Sequence, residues 1–167
     1  MMTSLNPYSD EDVQVLKRDF NAAIKGVYYA MAGDTGPQSA NVVFRKRLNV
    51  FADVIHGFTI PGLETRHDGI DIVIVRENTE GEYSGLEHEV YPGVIESVKV
   101  ITRASSERIA RYAFEFAYSN NRKTVTAVHK ANIMKLCDGE FLKATKKIAK
   151  EYPNIKYNEI IVDNCSM

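Results

Sequence analysis

The segment Ile70-Asp71-Ile72-Val73-Ile74-Val75, nearly all β-branched and cut off at Arg76, does most to narrow what this chain can fold into. Side chains forked at Cβ are stiff about χ1 and pack well on a pleated surface, and a near-continuous apolar run belongs to a strand covered on both faces. A strand of that kind needs helices to cover it, and the flanking sequence supplies them. Asp68-Gly69 is the turn that delivers the chain into the strand.

Ser9 caps a helix with Asp10, Glu11 and Asp12 in its first turn and Val13, Leu16, Phe20, Ala23 and Ile24 on its apolar stripe. A short strand over 26–29 and a turn-rich loop over 32–37 follow, then a helix over 41–52 with Phe44, Leu48, Phe51 and Ala52 opposite Arg45, Lys46, Arg47 and Asn49. Pro61-Gly62 lies in a connecting segment before the β-branched strand. Past it, 98–102 reads as a strand, and Ser105 or Ser106 caps a helix with Ile109, Tyr112, Ala113, Phe116 and Ala117 on one face, ending near Asn120-Asn121. A strand over 124–128, a helix opened by Asp138-Gly139 that turns Phe141, Leu142, Ile148 and Ala149 inward, and a strand over 160–162 complete the pattern. The less regular interval from Pro92 to Ser105 leaves room for a hairpin that extends the sheet or reaches a second chain. Alternating strands and helices predict an α/β fold with a mixed, partly parallel sheet flanked by helices.

With 167 residues and 44% hydrophobic content the chain is large enough to bury its own core, as one domain or one and a half. Twenty-one basic residues against 22 acidic ones give a net charge of -1, so no global field draws nucleic acid or an anionic membrane, and neither is an expected partner. Cys137 and Cys165 provide neither a disulfide framework nor metal-ligand spacing, which fits a reducing compartment. The apolar runs are too short to cross a bilayer, and the first residues, with Asp10, Glu11 and Asp12, show no targeting segment.

In α/β folds ligands gather beyond the carboxyl ends of strands, which draws attention to Arg76, Lys130 and Asp163. Each alone also fits a solvated strand end. Ser39-Ala40-Asn41 with Arg45 places two hydrogen-bonding groups and a cation at a helix start, where free N–H groups favour a carboxylate; an ordinary cap and a solvated arginine fit equally well. Tyr83, beside Glu80 and Glu82, is either a packing residue or, as a phenol protonated near pH 7, a proton donor to a carbanion or enolate. Lys130 would need a neighbouring metal ion or burial to serve as a base. His129 reads as structural. Asp163 is a lone carboxylate, whereas magnesium needs several oxygen ligands.

Ser39-x-Asn41 with Arg45, the run from Arg76-Glu77-Asn78-Thr79-Glu80-Gly81-Glu82-Tyr83-Ser84-Gly85 into Leu86-Glu87-His88-Glu89, and the segment 125–134 closely resemble the NAD-dependent isocitrate dehydrogenase subunits of mitochondria, within the isocitrate/isopropylmalate dehydrogenase family. The likeness is strong over roughly 38–167. It implies part of that family's fold, with 1–75 a partial large domain and 76–167 a small, subunit-contact domain. It also implies oxidative decarboxylation of isocitrate to 2-oxoglutarate in the tricarboxylic acid cycle, in the mitochondrial matrix. By the same resemblance Tyr83 matches the proton donor and Lys130 the proton acceptor contributed across a subunit interface. Ser39, Asn41, Arg45 and Arg76 match the carboxylate clamp, Asn132 lies near the nicotinamide of NAD, and Asp163 matches a ligand of magnesium or manganese.

Three departures shape the expectation. The catalytic subunits carry a further clamping arginine ten positions after the one matched by Arg45, and here that position is Ile55. Together with Glu87-His88-Glu89 and Thr102-Arg103-Ala104, this points to the regulatory (β or γ) type. The chain ends at Met167, where the family continues into further metal aspartates and an adenosine loop, and residues 1–37 lack the glycine-rich opening, so a truncated form is expected. The expected partners are a catalytic subunit and isocitrate or citrate, and the chain is not expected to be active alone. The alternatives are a truncated, noncatalytic interaction module, or another 3-hydroxy acid oxidative decarboxylase such as isopropylmalate or homoisocitrate dehydrogenase.

Overall fold

The computed structural model describes residues 10–19 and 45–167, which fall in two compact units, Met1–Phe51 and Ala52–Met167. In the first unit, helix α1 spans Asp10–Asp19 and buries Val13, as its apolar stripe requires. Residues 45–48 are helical, and that helix stops sooner than its spacing suggests. Asn49 turns into the left-handed region (φ 56°); its N–H reaches the Lys46 carbonyl at 3.1 Å and the Val50 N–H the Arg45 carbonyl at 3.0 Å. This pair of bonds closes a helix end, and asparagine tolerates the conformation it demands. The helix expected to run to Ala52 therefore ends at Leu48. The strand at 26–29, the loop at 32–37 and the far end of the first helix lie outside the described residues.

The second unit is α/β, with its described strands paired in three two-stranded ladders. Strand β1 (Ala52–Phe58) runs antiparallel to β2 (Asp71–Glu77), β3 (Gly81–Tyr91) antiparallel to β4 (Val94–Val100), and β5 (Thr124–His129) parallel to β6 (Lys156–Ile161). The helices are α2 (Arg103–Ser119), α3 (Cys137–Ala149) and α4 (Val162–Ser166). β1 occupies what its composition suggests is connecting chain; Val54 and Ile55 form a strand because β2 pairs with them residue for residue. The hairpin starts at Gly81 rather than within the irregular interval, and turns at Pro92-Gly93, where Gly93 has φ 84°. Proline followed by glycine with positive φ is the composition of a type II turn. β2 is covered on one face only: Ile72 and Ile74 are exposed, while Val73 and Val75 are half-buried.

The core of this unit gathers Ala110, Phe114 and Ala117 of α2 with Ile148 of α3 and Ile155, and Val125, Ala149, Tyr152 and Tyr157 pack around them. Phe114, 1% exposed, stacks on Tyr152 with ring centroids 5.3 Å apart and tilts against Tyr157 at 6.3 Å. Helix α2 thus buries the arc through Ala110 and Phe114 rather than the one through Tyr112 and Phe116. Its cap is Thr102, whose side chain accepts the Ser105 N–H at 3.3 Å, while Ser106 is buried. Its far end repeats the asparagine device: Asn121 has φ 54°, and the Arg122 N–H reaches the Ala117 carbonyl at 2.8 Å. Among the described residues no helix is long and apolar enough to cross a membrane.

Candidate active site

Two clusters hold the chemistry-bearing side chains of the second unit. The first lies across β1, β2 and the start of β3. In the β1–β2 ladder Asp53 stands opposite Arg76, and their side chains form an ion pair. The Arg76 guanidinium also lies over the Tyr83 ring, 5.0 Å from its centroid, which is within cation–π range. The link between Arg76 and Tyr83 is fixed by its own carboxylates. Glu77 accepts the N–H groups of Asn78 (3.1 Å) and Thr79 (2.7 Å). Glu80 accepts the Thr102 N–H at 2.9 Å, the Thr102 hydroxyl at 2.7 Å and the Ser105 hydroxyl at 2.8 Å, latching the loop to the start of α2. Burial is the strongest single influence on Glu80 and pushes its carboxyl up, but those donors, with the charge of Arg108, outweigh it and hold the group below its ordinary value.

The second cluster sits at the carboxyl ends of β5 and β6. The parallel register brings His129 level with Ile161, so the residues that follow each strand emerge side by side. Lys130 and Asp163 do so as an ion pair. The backbone at Lys130 is held in turn by buried Asp138, which accepts the Lys130 N–H at 2.6 Å and the Lys99 ammonium at 3.0 Å. Burial would lower the pKa of Lys99, but Asp138 and Glu82, its partner at 3.3 Å, outweigh that and hold it above the ordinary value. His129 is structural in a specific sense: its Nδ1 accepts the Ala131 N–H at 3.0 Å. Asn132 is exposed on the turn that follows.

The sequence profile of the isocitrate/isopropylmalate dehydrogenase family matches residues 2–167. The chain belongs to this family. It is 67% identical over 132 residues to a protein of Arabidopsis thaliana named isocitrate dehydrogenase [NAD] regulatory subunit 1, mitochondrial, covering 79% of this chain and 36% of that one. To regulatory subunit 3 of the same plant it is 56% identical over 167 residues, covering 100% of this chain and 45% of that one. Among solved structures, isocitrate dehydrogenase from Methylococcus capsulatus superposes with a TM-score of 0.80 at 39% identity, covering 96% of this chain and 48% of that one. The chain thus spans less than half the length of these relatives. The family match also takes in residues 2–37, which the motif resemblance leaves out.

Of the residues singled out in this member of the isocitrate/isopropylmalate dehydrogenase family, the structure unites Arg76 with Tyr83 and Lys130 with Asp163. Among the described residues no hydrogen bond or ion pair joins Arg76 or Tyr83 directly to Lys130 or Asp163, but Lys99, paired with Glu82 at 3.3 Å and with Asp138 at 3.0 Å, links the start of β3 to the second cluster. Arg45 lies in the helical turn of the first unit, and Ser39 and Asn41 lie outside the described residues. Three supporting carboxylates escape a motif reading, Asp53, Glu80 and Asp138, because their partners lie 23, 22 and 8 residues away in sequence. A divalent cation does not fit the described residues alone. None of them form a group of three or more potential ligands, and the one candidate, Asp163, already holds an ammonium.

Proposed function

We propose that the chain is a regulatory-type portion of mitochondrial NAD-dependent isocitrate dehydrogenase that supplies part of a tricarboxylate pocket and works against a catalytic partner subunit. The observation that carries this reading is that Arg76, beside Tyr83, and Lys130 are each paired with a carboxylate of this same chain, Asp53 and Asp163, so that neither cluster is complete as it stands. A reaction centre that needs a carboxylate clamp, a phenol and a lysine is then assembled between protomers. In that assembly 1–75 is the partial large domain, with Ser39, Asn41 and Arg45 in its share of the clamp, and 76–167 is the subunit-contact domain. The names of the Arabidopsis relatives support the compartment, the cofactor and the regulatory type, and Ile55 supports weak catalysis, because an aliphatic side chain cannot pair with a carboxylate.

Asn132 would lie beside the nicotinamide of NAD, which when bound would supply the hydride acceptor for the carbinol carbon of isocitrate. Lys130 would accept the hydroxyl proton, Arg76 would hold a carboxylate, and after carbon dioxide leaves the Tyr83 phenol would return a proton to the enolate carbon. The Lys130–Asp163 pair must open before either group acts, and Asp163 is the single carboxylate this chain lends to the family's magnesium or manganese site. Co-expression with a catalytic isocitrate dehydrogenase subunit tests the reading. Co-purification and a changed rate of NADH formation are expected; absence of both would end it.

A second reading, an interaction module without catalytic duty, is favoured by the exposed Leu86, Val90, Tyr91, Val94, Ile95 and Val98 of the β3–β4 hairpin. Thermal midpoints with and without citrate plus magnesium separate the two. A ligand bound only by the folded form raises the midpoint, and an unmoved midpoint favours the module.

A further inference from the structure

The face of the β1–β2 ladder that carries Arg76 also carries Asp53, Ile55, Gly57, Ile72 and Ile74, because side chains alternate along each strand and Asp53 pairs with Arg76 in register. Among the residues of the two strands, Arg76 is therefore the only cation on that face and Asp53 the only anion. The guanidinium carbon lies 5.0 Å from the Tyr83 ring centroid, and one of its terminal nitrogens, Nη2, meets the Asp53 carboxylate. A guanidinium takes a substrate carboxylate through the same N–H donors, so Asp53 and a substrate compete for them. Both partners keep solvent access, 44% for the Arg76 side chain and 32% for that of Asp53, so the contact is open to displacement. Two positions along β1, Ile55 is exposed and supplies no charge that could draw Asp53 aside.

We propose that Asp53 is a built-in occupant of the Arg76 clamp: it holds the guanidinium in place of a substrate carboxylate and sets how weakly this chain takes a tricarboxylate. The inference rests on the proposed role of Arg76 as a clamp and adds the residue that competes for it. An incoming tricarboxylate must break the Asp53–Arg76 pair and then remain beside the displaced carboxylate, which repels it. Asp53→Asn keeps the shape and removes both obstacles. An exposed pair of this kind is worth about a factor of five at most, and the lost repulsion adds to it. Citrate affinity should therefore rise about three- to tenfold.

The test is calorimetric titration of the purified full chain with citrate, using D53N, D53S, R76Q, the double variant D53N/R76Q and E64Q, a charge-neutralising control in the exposed loop after β1. The expected result is tighter binding in D53N and D53S, none of that gain in the double variant, weakened binding in R76Q, and no change in E64Q. Circular dichroism verifies the fold of each variant. Unchanged binding in D53N and D53S together with a loss in R76Q would overturn the competitor while leaving the clamp standing. Unchanged binding in R76Q would remove the clamp itself. An equal gain in E64Q would reduce the effect to net charge, and failure of every variant to bind citrate would overturn the proposal.

Discussion

Replacing Asp138 by alanine should loosen the segment that presents Lys130 and cost about 2.5–3 kcal/mol of stability. The carboxylate is 7% exposed and accepts the Lys130 N–H at 2.6 Å and the Lys99 ammonium at 3.0 Å. A hydrogen bond to a charged acceptor contributes about 1.5–3 kcal/mol, and the backbone contact, at a residue whose side chain keeps 28% exposure and so admits replacement water, belongs to the lower half of that range. The Lys99 pair is worth less, about 1 kcal/mol, because the lysine is 23% exposed and retains Glu82 at 3.3 Å. For a chain of this size the combined loss lowers the thermal midpoint by roughly 5–12 °C. Asp138→Asn keeps an oxygen for the Lys130 N–H and should lose about 1 kcal/mol. Urea denaturation at pH 7 measures both, and a double-mutant cycle with Lys99→Met isolates the ion pair. Since Lys99 is raised above its ordinary 10.5 in the fold, the pair contributes fully below that pH and fades as pH climbs through the folded value. An alanine variant within about 0.5 kcal/mol of the parent would refute the idea that Asp138 holds this segment.

The Glu80 latch gives an acid-side signature. Because its folded pKa is lowered from 4.5, its contribution is present above that value and disappears as pH falls through the folded one. Denaturation at pH 7 and pH 3 should show Glu80→Gln less stable than the parent at the first and the gap narrowed at the second. Phe114→Ala removes a 1% exposed ring from the joint of α2, α3 and the parallel ladder and should cost about 3–5 kcal/mol in urea unfolding. Asn121→Ala should cost about 1 kcal/mol, since alanine resists the φ of 54° at the end of α2, whereas Asn121→Gly should be neutral or better in the same assay.

What could be read along the chain was whatever depends on neighbours in sequence. The Ile70–Val75 run announces β2, and Asn120-Asn121 announces the end of α2, because stiff side chains and left-handed tolerance are properties of single residues. Asn49 has the same tolerance, yet on a helical wheel it sits harmlessly among Arg45, Lys46 and Arg47; only the observed backbone distinguishes a polar-face residue from a terminator. The arc buried by α2 was legible only to within one position per turn. Two adjacent stripes are both apolar enough, and the rings of Tyr152 and Tyr157 decide for Phe114. At the site, motif residues are visible while their holders are not: Asp53 meets Arg76 through a ladder register and Glu80 meets Thr102 through the packing of a loop on a helix start. No periodicity encodes either meeting.

The two clusters share one electrostatic logic. In the second unit each cation that would face a tricarboxylate is already held by a carboxylate of the same chain, Arg76 by Asp53 and Lys130 by Asp163. A chain built to bind substrate alone would leave at least one of these cations unclaimed, since every internal partner must be displaced before an external one gains anything. Both pairs are open to water, however, with 44% and 32% exposure in the first and 28% and 61% in the second, so each is worth at most about 1 kcal/mol. Opening both costs at most about 2 kcal/mol, roughly a thirtyfold penalty in affinity. One well-placed charged side chain from a second protomer is sufficient to offset a penalty of that size, because hydrogen bonds to charged groups contribute about 1.5–3 kcal/mol each. On the proposed reading, self-pairing would keep the isolated chain weakly receptive to anions without locking it, and assembly with a partner would be the event that turns two satisfied ion pairs into a binding surface.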